Sequence, residues 1–263
     1  MINGHIKFFE KNLASVQEGA SANASDGTEA DRLIAENNET FWQSLGRAGE
    51  VTIEINLPPA RANRIILLDH NLANFSISGE FTNLTDIKNE ELSSIDIQAN
   101  REKTSYFAFD QERLTSLTLN LGNTINPGEF KRIGRLILCN EFTTLEGWPE
   151  MRISFNDNAR KFKSKAGELQ VSKQRRTMER LSLAFKNYTK LADIEAVQEL
   201  HRLDDSVLIW PCGGREDFFR FQQEGFRLQD IYKVKSMGQL PIMLDKGSYS
   251  SLLDTRITFY EVI

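Results

Sequence analysis

The sequence predicts a mainly β protein: an N-terminal jelly-roll β-sandwich followed by a smaller α+β domain with one helix on an antiparallel sheet. Short strand-like segments separated by turn residues fill the first half, and one helical repeat stands out in the second. The charge also changes sign, because the first 150 residues carry 13 Lys and Arg against 22 Asp and Glu, whereas the rest carry 19 against 15. Gly147 and Pro149 end an apolar run, so we predict domains 1–148 and 149–263.

The strands of the first half follow from the alternation of side chains. Val51–Asn56 alternates apolar and polar residues, as a strand with one buried face does. Pro58 and Pro59 have no amide hydrogen to donate, so we expect the ladder to break there. Arg64–Asp69 encloses a continuous apolar run, which is typical of a buried central strand. Further strands are predicted at Phe75–Gly79, Ser105–Asp110, Leu114–Leu121 and Arg132–Cys139, with a turn-rich loop at Gly122–Gly128.

The second half mixes strands with one helix. The helix is predicted over Leu191–Arg202, where apolar residues recur every three positions and therefore share roughly one face. Its acidic residues come early and its basic residues late, which suits the helix dipole. Strands are predicted on both sides of it, at Met151–Asn156, Thr177–Lys186, Val207–Trp210, Phe226–Val234, Leu240–Asp245 and Ile257–Val262.

Composition excludes several classes of protein. With 40% hydrophobic and 26% charged residues, the 263-residue chain is neither collagen-like, disordered nor a coiled coil. No segment approaches the ~18 consecutive apolar residues of a membrane helix, so no membrane insertion is expected. Residues 1–10 lack the apolar core of a signal peptide, so we expect no secretion by that route. Cys139 and Cys212 stand far apart, which disfavours a disulfide framework or a cysteine zinc site.

The sequence contains few residues or motifs that indicate catalysis. The three histidines, His5, His70 and His201, are far apart, and no nucleophile elbow, P-loop or dinucleotide fingerprint occurs. We therefore predict no catalytic residue, no cofactor and no enzymatic activity, and interpret His70 as a strand-end residue rather than a base. Cys212–Arg215 places a thiol near an arginine, which would lower its pKa. The adjoining proline and glycines favour a turn instead.

An acidic stretch, Asp26–Asp31 with Glu36 behind it, offers oxygen ligands of the kind that calcium accepts. It lacks the regular alternation of an EF-hand loop, and Gly27 stands in the wrong position for one. A solvated acidic loop is therefore the favoured interpretation, and we predict no metal site.

A basic segment, Arg160–Arg180, holds eight Lys and Arg against Glu168 and Glu179. Nucleic acid binds such segments. However, the whole chain carries a formal charge of −5 and Phe162 is the only interleaved aromatic residue, so a nucleic-acid partner is disfavoured. We interpret the segment as a charged loop or a polar docking surface for protein. Its candidate contact residues are Lys173, Arg175 and Arg176.

Four short segments of the first half follow one another in a fixed order: Ala24–Gly27, Thr40–Ser44, Val51–Asn56 and Asn63–Leu68. This order resembles the discoidin family, the coagulation factor 5/8 C-type, galactose-binding-like β-sandwich, over about residues 14–145. The resemblance implies a sandwich whose loops at one end bind sugars, lipids or protein partners. It also implies that Trp42 fills the core rather than serving as a sugar platform.

Segments of the second half carry a second resemblance: Arg175–Phe185, the acidic helix, Val207–Pro211, Ile231–Met237, Leu240–Ile242 and Ile257–Val262. Their order is similar to that of distal-tail or baseplate-type proteins of tailed bacteriophages. The resemblance implies a homo-oligomer, such as a ring, that contacts copies of itself and other tail proteins. It also implies a place in the virion tail after assembly in the host cytoplasm.

Two functions of different classes therefore stand. The first is a non-enzymatic structural and assembly component of a phage tail or related injection machine, joining neighbouring tail subunits. The alternative is a carbohydrate-binding module that recognises host surface glycans, which predicts exposed aromatic rings at the sandwich loops and a bound calcium. An enzyme comes third; the abundant carboxylates leave a glycosidase pair open but are not evidence for one.

Overall fold

The structure is a computed structural model that describes the larger part of the chain. The described residues are 6–27, 29–36, 40–82, 89–91, 94–145, 150–156, 160–163, 169–172, 177–188, 195–196, 199–200, 206–211, 231–236, 243–244 and 253–261. Residues 195–196 and 199–200, within the predicted helix, are helical, and the rest of Leu191–Arg202 lies outside the described residues. No helix in the described ranges is long and apolar enough to cross a membrane.

Nineteen strands make up the described fold. In chain order they are β1 Lys7–Phe9, β2 Ser21–Ala24, β3 Trp42–Gln43, β4 Val51–Leu68, β5 Phe75–Thr82, β6 Asn89–Glu91, β7 Ile95–Ile97, β8 Ser105–Leu121, β9 Arg132–Ile133, β10 Arg135–Cys139, β11 Glu141–Thr144, β12 Glu150–Asn156, β13 Arg160–Lys163, β14 Leu169–Ser172, β15 Thr177–Tyr188, β16 Val207–Trp210, β17 Tyr232–Ser236, β18 Met243–Leu244 and β19 Leu253–Glu261. The pairings of β1 with β16, of β12 with β15, and of β4 and β5 with β8 are antiparallel, and the abundance of strands confirms the predicted mainly β fold class.

The chain folds into two compact units. The inserted unit is Lys11–Glu141, and the split unit joins Met1–Glu10 to Phe142–Ile263. This division differs from the predicted domains 1–148 and 149–263, because β1 pairs with β16 in the split unit, with Phe8 opposite Ile209. A strand paired with a partner so distant in sequence has no local signature, so alternation alone could not assign it.

The inserted unit is built on a seven-stranded sheet in the order β10–β4–β8–β5–β6, with β2 on β4 and β7 on β5. The pairing of β4 with β8 shifts register between Asn56 and Ala60, where Pro58 and Pro59 lie. The predicted break in the ladder is thus confirmed, although the strand itself continues to Leu68. Ile53, before the break, and Ile65, after it, lie in the same core. The sheet therefore folds over on itself to form the two layers of a β-sandwich.

The predicted strand Arg132–Cys139 is divided at Gly134. Its first two residues, β9, pair with β3, whereas β10 pairs with the end of β4. A Cβ atom on Gly134 would lie 2.9 Å from the Leu68 carbonyl oxygen and from Asp69 Cβ. Glycine permits this close approach, which brings the segment after β4 beside β9.

The split unit contains an eight-stranded antiparallel sheet in the order β11–β1–β16–β17–β19–β15–β12, with β18 on β19. Its core includes Phe8, Ile209, Val234 and Phe259. The predicted strands near Met151, Thr177, Val207 and Ile257 are confirmed. Of the strands predicted at Phe226–Val234 and Leu240–Asp245, the described residues lie in β17 and β18, and the rest lie outside the described ranges.

Candidate functional site

The loops at one end of the sandwich meet around a short ribbon formed by β3 and β9. Along the first strand, Phe41 and Leu45 are exposed, whereas Trp42 and Ser44 between them are buried. Facing them, Lys131 and Ile133 are buried, and Phe130 and Arg132 are partly exposed. This alternation gives the ribbon an inner face in the core and an outer face toward solvent.

Three side chains on or beside the outer face form what we call the loop-end triad: Phe41, Arg132 and Asp69. The guanidinium carbon of Arg132 lies 4.3 Å from the Phe41 ring centre. Its Nη2 donates to Asp69 Oδ2 over 2.7 Å, in a pair whose side chains are 42% and 30% exposed. The Phe41 residue itself is 37% exposed. An apolar ring, a cation and an anion thus meet at one solvent-facing place.

The backbone around the triad is held by side-chain amides. Asn71 Oδ1 accepts from the Arg132 amide over 2.8 Å, and the Asn71 amide donates back to the Arg132 carbonyl over 3.2 Å. Asn71 Nδ2 also donates to Phe130 O and to Glu129, whose carboxylate accepts from Asn126 as well. Asp69 adopts a left-handed backbone conformation with φ 50°, which an aspartate tolerates better than most residues. These hydrogen bonds therefore hold the backbone around Arg132 in place.

Lys131 forms hydrogen bonds to the neighbouring loop from the buried side of the ribbon. Its ammonium is buried and donates to the Gly49 carbonyl over 2.6 Å, while its backbone amide donates to Ser44 Oγ. The guanidinium carbon of Arg47 lies 4.8 Å from the ring centre of Phe130, the residue before Lys131. A second arginine–aromatic pair thus adjoins the first, and exposed Leu45 lies on the same loop.

His70 follows Asp69 but points into the core. The Leu72 amide donates to His70 Nδ1 over 3.3 Å, so Nε2 carries the hydrogen and donates to Ser105 Oγ over 2.8 Å. Burial lowers the pKa of His70 to about 4, against the opposing effect of the Asp69 charge. The ring also makes an edge contact with Phe75. His70 lies two residues after the end of β4, at the strand end where it was predicted.

A second cluster with the same three kinds of group, which we call the base triad, lies where the chain leaves the inserted unit. Arg64 Nε donates to Tyr106 Oη over 2.7 Å and to Glu141 Oε2 over 2.8 Å, and the Tyr106 hydroxyl donates to the same carboxylate oxygen. The Arg64 and Glu141 side chains are 20% and 15% exposed. Burial, reinforced by the Glu141 bond, raises the pKa of Tyr106.

Trp42 is buried, which confirms its expected place in the core. Gly27, with φ 119°, passes so close that a Cβ there would lie 2.7 Å from Trp42 Nε1. The glycine and the tryptophan of two segments behind the discoidin resemblance therefore meet in space.

The acidic stretch does not gather its carboxylates at one point. Asp26 Oδ2 accepts from the Gly46 amide over 3.0 Å, and Asp31 Oδ1 accepts from the Ala22 amide over 2.8 Å. Within the ranges that the structure describes, no group of three or more His, Cys, Asp or Glu could hold a metal ion. These two carboxylates instead form hydrogen bonds within the inserted unit, Asp26 with the loop at Gly46 and Asp31 with β2.

The predicted docking residues Lys173, Arg175 and Arg176 lie outside the described residues, as does Cys212–Arg215. Sequence reasoning missed the loop-end triad. Because consecutive side chains of a strand point to opposite faces, an inward Trp42 could have placed Phe41 outward. The meeting of Arg132 with Asp69, 63 positions away, has no comparable signal in the sequence.

No protein-family model matches the sequence, and no curated protein matches it. Solved structures of carbohydrate-binding modules are similar to about half of the chain. Chitosan-binding module 1 of a chitosanase/glucanase from Paenibacillus sp. IK-5 has a TM-score of 0.41 and 17% identity, with 49% of this chain and 98% of the module covered. The family 32 module of C. perfringens NanJ, solved with galactose, has a TM-score of 0.39 and 14% identity, with 51% and 98% covered. The family 32 module of Streptococcus pneumoniae EndoD gives 0.39 and 14%, with 49% and 98% covered. Similarities of this size assign no ligand to this chain.

Proposed function

We propose that the inserted unit is a carbohydrate-binding module and that the loop-end triad is its sugar platform. The exposed Phe41 ring beside the Arg132–Asp69 pair carries this proposal. The C–H face of a pyranose packs on an aromatic ring, and its hydroxyls both donate and accept hydrogen bonds. A carboxylate that accepts and a guanidinium that donates, side by side at the ring, match both roles.

The frame around the triad suits recognition without rearrangement. The two Asn71 bonds to the Arg132 backbone and the Lys131 bond to Gly49 fix the segments that carry the ribbon. Ordering these segments in advance reduces the entropy lost when a ligand binds. The 37% exposure of Phe41 at the sandwich loops supports the proposal, because a glycan-binding module needs an aromatic ring that a sugar can reach.

The full chain, immobilised and probed with a glycan array, tests this function. We expect it to retain at least one glycan, and Phe41→Ala and Arg132→Ala each to weaken that binding at least tenfold by titration calorimetry. Val16→Ala, which truncates an exposed apolar residue outside the triad, is the matched control and should leave the affinity unchanged. Retention of no glycan would reject the module, and full affinity in both triad variants would reject the site.

For the split unit we propose assembly into a virion tail, as a structural component that contacts copies of itself and other tail proteins. The supporting observation is that, among the described strands, β11 and β12 form the two ends of its strand order. Edge strands carry backbone groups that can pair with another subunit. Such a protein would combine attachment to the tail with glycan recognition by the inserted unit.

Mass spectrometry of purified particles from the source tests the assembly function. We expect the protein in the tail fraction at a fixed ratio that high salt does not change. Its absence from every particle fraction would reject assembly while leaving the glycan test unaffected.

A further inference from the structure

Among the described residues, the outward face that precedes the β4–β8 register shift carries hydroxyl, amide and carboxylate side chains. We call it the polar sheet face, and its members are Ser21 and Asn23 of β2, Thr52, Glu54 and Asn56 of β4, Ser76, Ser78 and Glu80 of β5, Ser116, Thr118 and Asn120 of β8, and Asp96 of β7. The strand register aligns them in rows, since Thr52 lies opposite Asn120 and Asn120 lies opposite Ser76. All are exposed or partly exposed.

The chemistry of this face suits a covered surface. Short serine and threonine side chains lose little conformational freedom when a partner immobilises them. Some are already ordered, since Thr52 Oγ1 bonds to Asn120 Oδ1 over 3.1 Å. The face holds three carboxylates, Glu54, Glu80 and Asp96, and no lysine or arginine. No ion pair in the described part of the chain engages these carboxylates.

This composition selects among ligand classes. A sugar finds no aromatic ring on the polar sheet face to pack against. Nucleic acid would be repelled by carboxylates without compensating cations. The three acids occupy separate strands, and the described residues form no group that could hold a metal. A flat, cationic protein segment is the partner that this face complements.

The same chain carries such a segment in the hairpin of β13 and β14, which we call the basic arm. Its first strand reads Arg-Lys-Phe-Lys, and neither strand contains an acid. In the described sheets these two strands pair only with each other. The arm is therefore a two-stranded cationic element.

We propose that the basic arm of one copy docks on the polar sheet face of a second copy. Charge supports this pairing beyond the contact itself. Residues 11–141 contain 12 Lys and Arg against 19 Asp and Glu, whereas the rest of the chain contains 20 against 18. The inserted unit of one copy thus attracts the arm of another and steers their encounter. This pairing is independent of sugar binding at the loop-end triad.

Sedimentation velocity of the full chain at 50 mM and 500 mM NaCl tests the proposal first. We expect self-association at low salt and at least a tenfold weaker association at high salt, because screening weakens contacts between exposed charges. A chain that stays monomeric at 100 μM and 50 mM NaCl overturns the proposal.

Charge reversal then tests the surfaces. The face variant is Glu54→Lys/Glu80→Lys/Asp96→Lys, and the arm variant is Arg160→Glu/Lys161→Glu/Lys163→Glu. We expect each variant alone to be monomeric and an equimolar mixture of the two to associate. A matched control, Glu29→Lys/Glu102→Lys/Asp110→Lys, makes the same charge change at exposed positions off the face and should leave more association than the face variant.

Two further outcomes of these experiments would overturn the proposal. Circular dichroism and thermal melting of each variant separate lost association from lost folding. Folded face and arm variants that associate like the unaltered chain overturn the proposal. Folded variants that stay apart even when mixed also overturn it, since the swapped charges should then attract.

Discussion

The loop-end triad and the base triad contain the same three kinds of group, an arginine, an aromatic ring and a carboxylate, but in different surroundings. In the base triad, Arg64 Nε and the Tyr106 hydroxyl both donate to Glu141. In the loop-end triad the ring is phenylalanine, which has no hydroxyl, and the buried Nε of Arg132 has no hydrogen-bond partner among the described residues. The Arg132 side chain is 42% exposed, against 20% for Arg64.

This difference separates a structural cluster from a candidate binding site. The base triad joins its three groups through hydrogen bonds to one carboxylate oxygen, and its charged side chains are at most 20% exposed. The loop-end triad leaves an apolar ring and part of a guanidinium at the surface. Residue type alone therefore does not reveal function, because bonding and burial decide which cluster can accept a ligand.

The largest expected effect is that of acid on the free energy of unfolding, through His70 beside the loop-end triad. The folded pKa of His70 is about 4, against an ordinary value of 6.5, so the unfolded chain binds more protons between these pH values. The free energy of unfolding should therefore fall by about 3 kcal/mol as pH drops from 7 to 4, and this histidine's contribution should level off below that. This change can be measured by unfolding the protein in urea at each pH. Pulse-labelling hydrogen–deuterium exchange at one fixed labelling pH then gives the urea midpoint of residues 114–121.

His70→Gln is the control for this effect, since it removes the titrating ring at the loop end and leaves the base triad intact. We expect its unfolding free energy to depend less on pH by about the same amount. An unchanged pH dependence would mean that carboxylates, rather than His70, govern acid stability.

Removing the carboxylate should distinguish the two triads next. Glu141→Ala leaves Arg64 and the Tyr106 hydroxyl without their shared acceptor, so we expect a loss of about 2 kcal/mol of unfolding free energy. Asp69→Asn removes the charge of a more exposed ion pair but keeps a side chain that tolerates the left-handed backbone at φ 50°, so it should cost under about 1 kcal/mol. It should nevertheless abolish most glycan binding. Equal stability losses, measured by the same exchange method, would contradict the contrast between the triads.

The smallest effect should come from exchanging the aromatic rings. Tyr106→Phe gives the base triad the composition of the loop-end triad and should cost about 1 kcal/mol, through loss of the hydroxyl bond to Glu141. Phe41→Tyr adds a hydroxyl at a solvent-facing position and should change stability by less than about 0.5 kcal/mol. A large loss in Phe41→Tyr would show that the Phe41 ring edge is packed rather than exposed.

Local alternation made much of the fold predictable. Val51–Asn56 and Val207–Trp210 are strands as predicted, and the prolines after Leu57 interrupt the ladder. Trp42 is buried, as the resemblance to the discoidin family implied. The strand positions and the break depend on side-chain period and on the missing amide hydrogen of proline, both of which are properties of a few consecutive residues.

The sequence by itself thus determined the mainly β class, most strand positions and the buried tryptophan. Only the tertiary structure decided that β1 pairs with β16, and that Arg132 meets Phe41 and Asp69. The same holds for the polar sheet face, whose rows exist only once β4, β5 and β8 lie side by side. The physical reason is that periodicity fixes which way a side chain points within its own strand. Which distant strands pair, and hence which side chains meet, depends on the packing of the whole core.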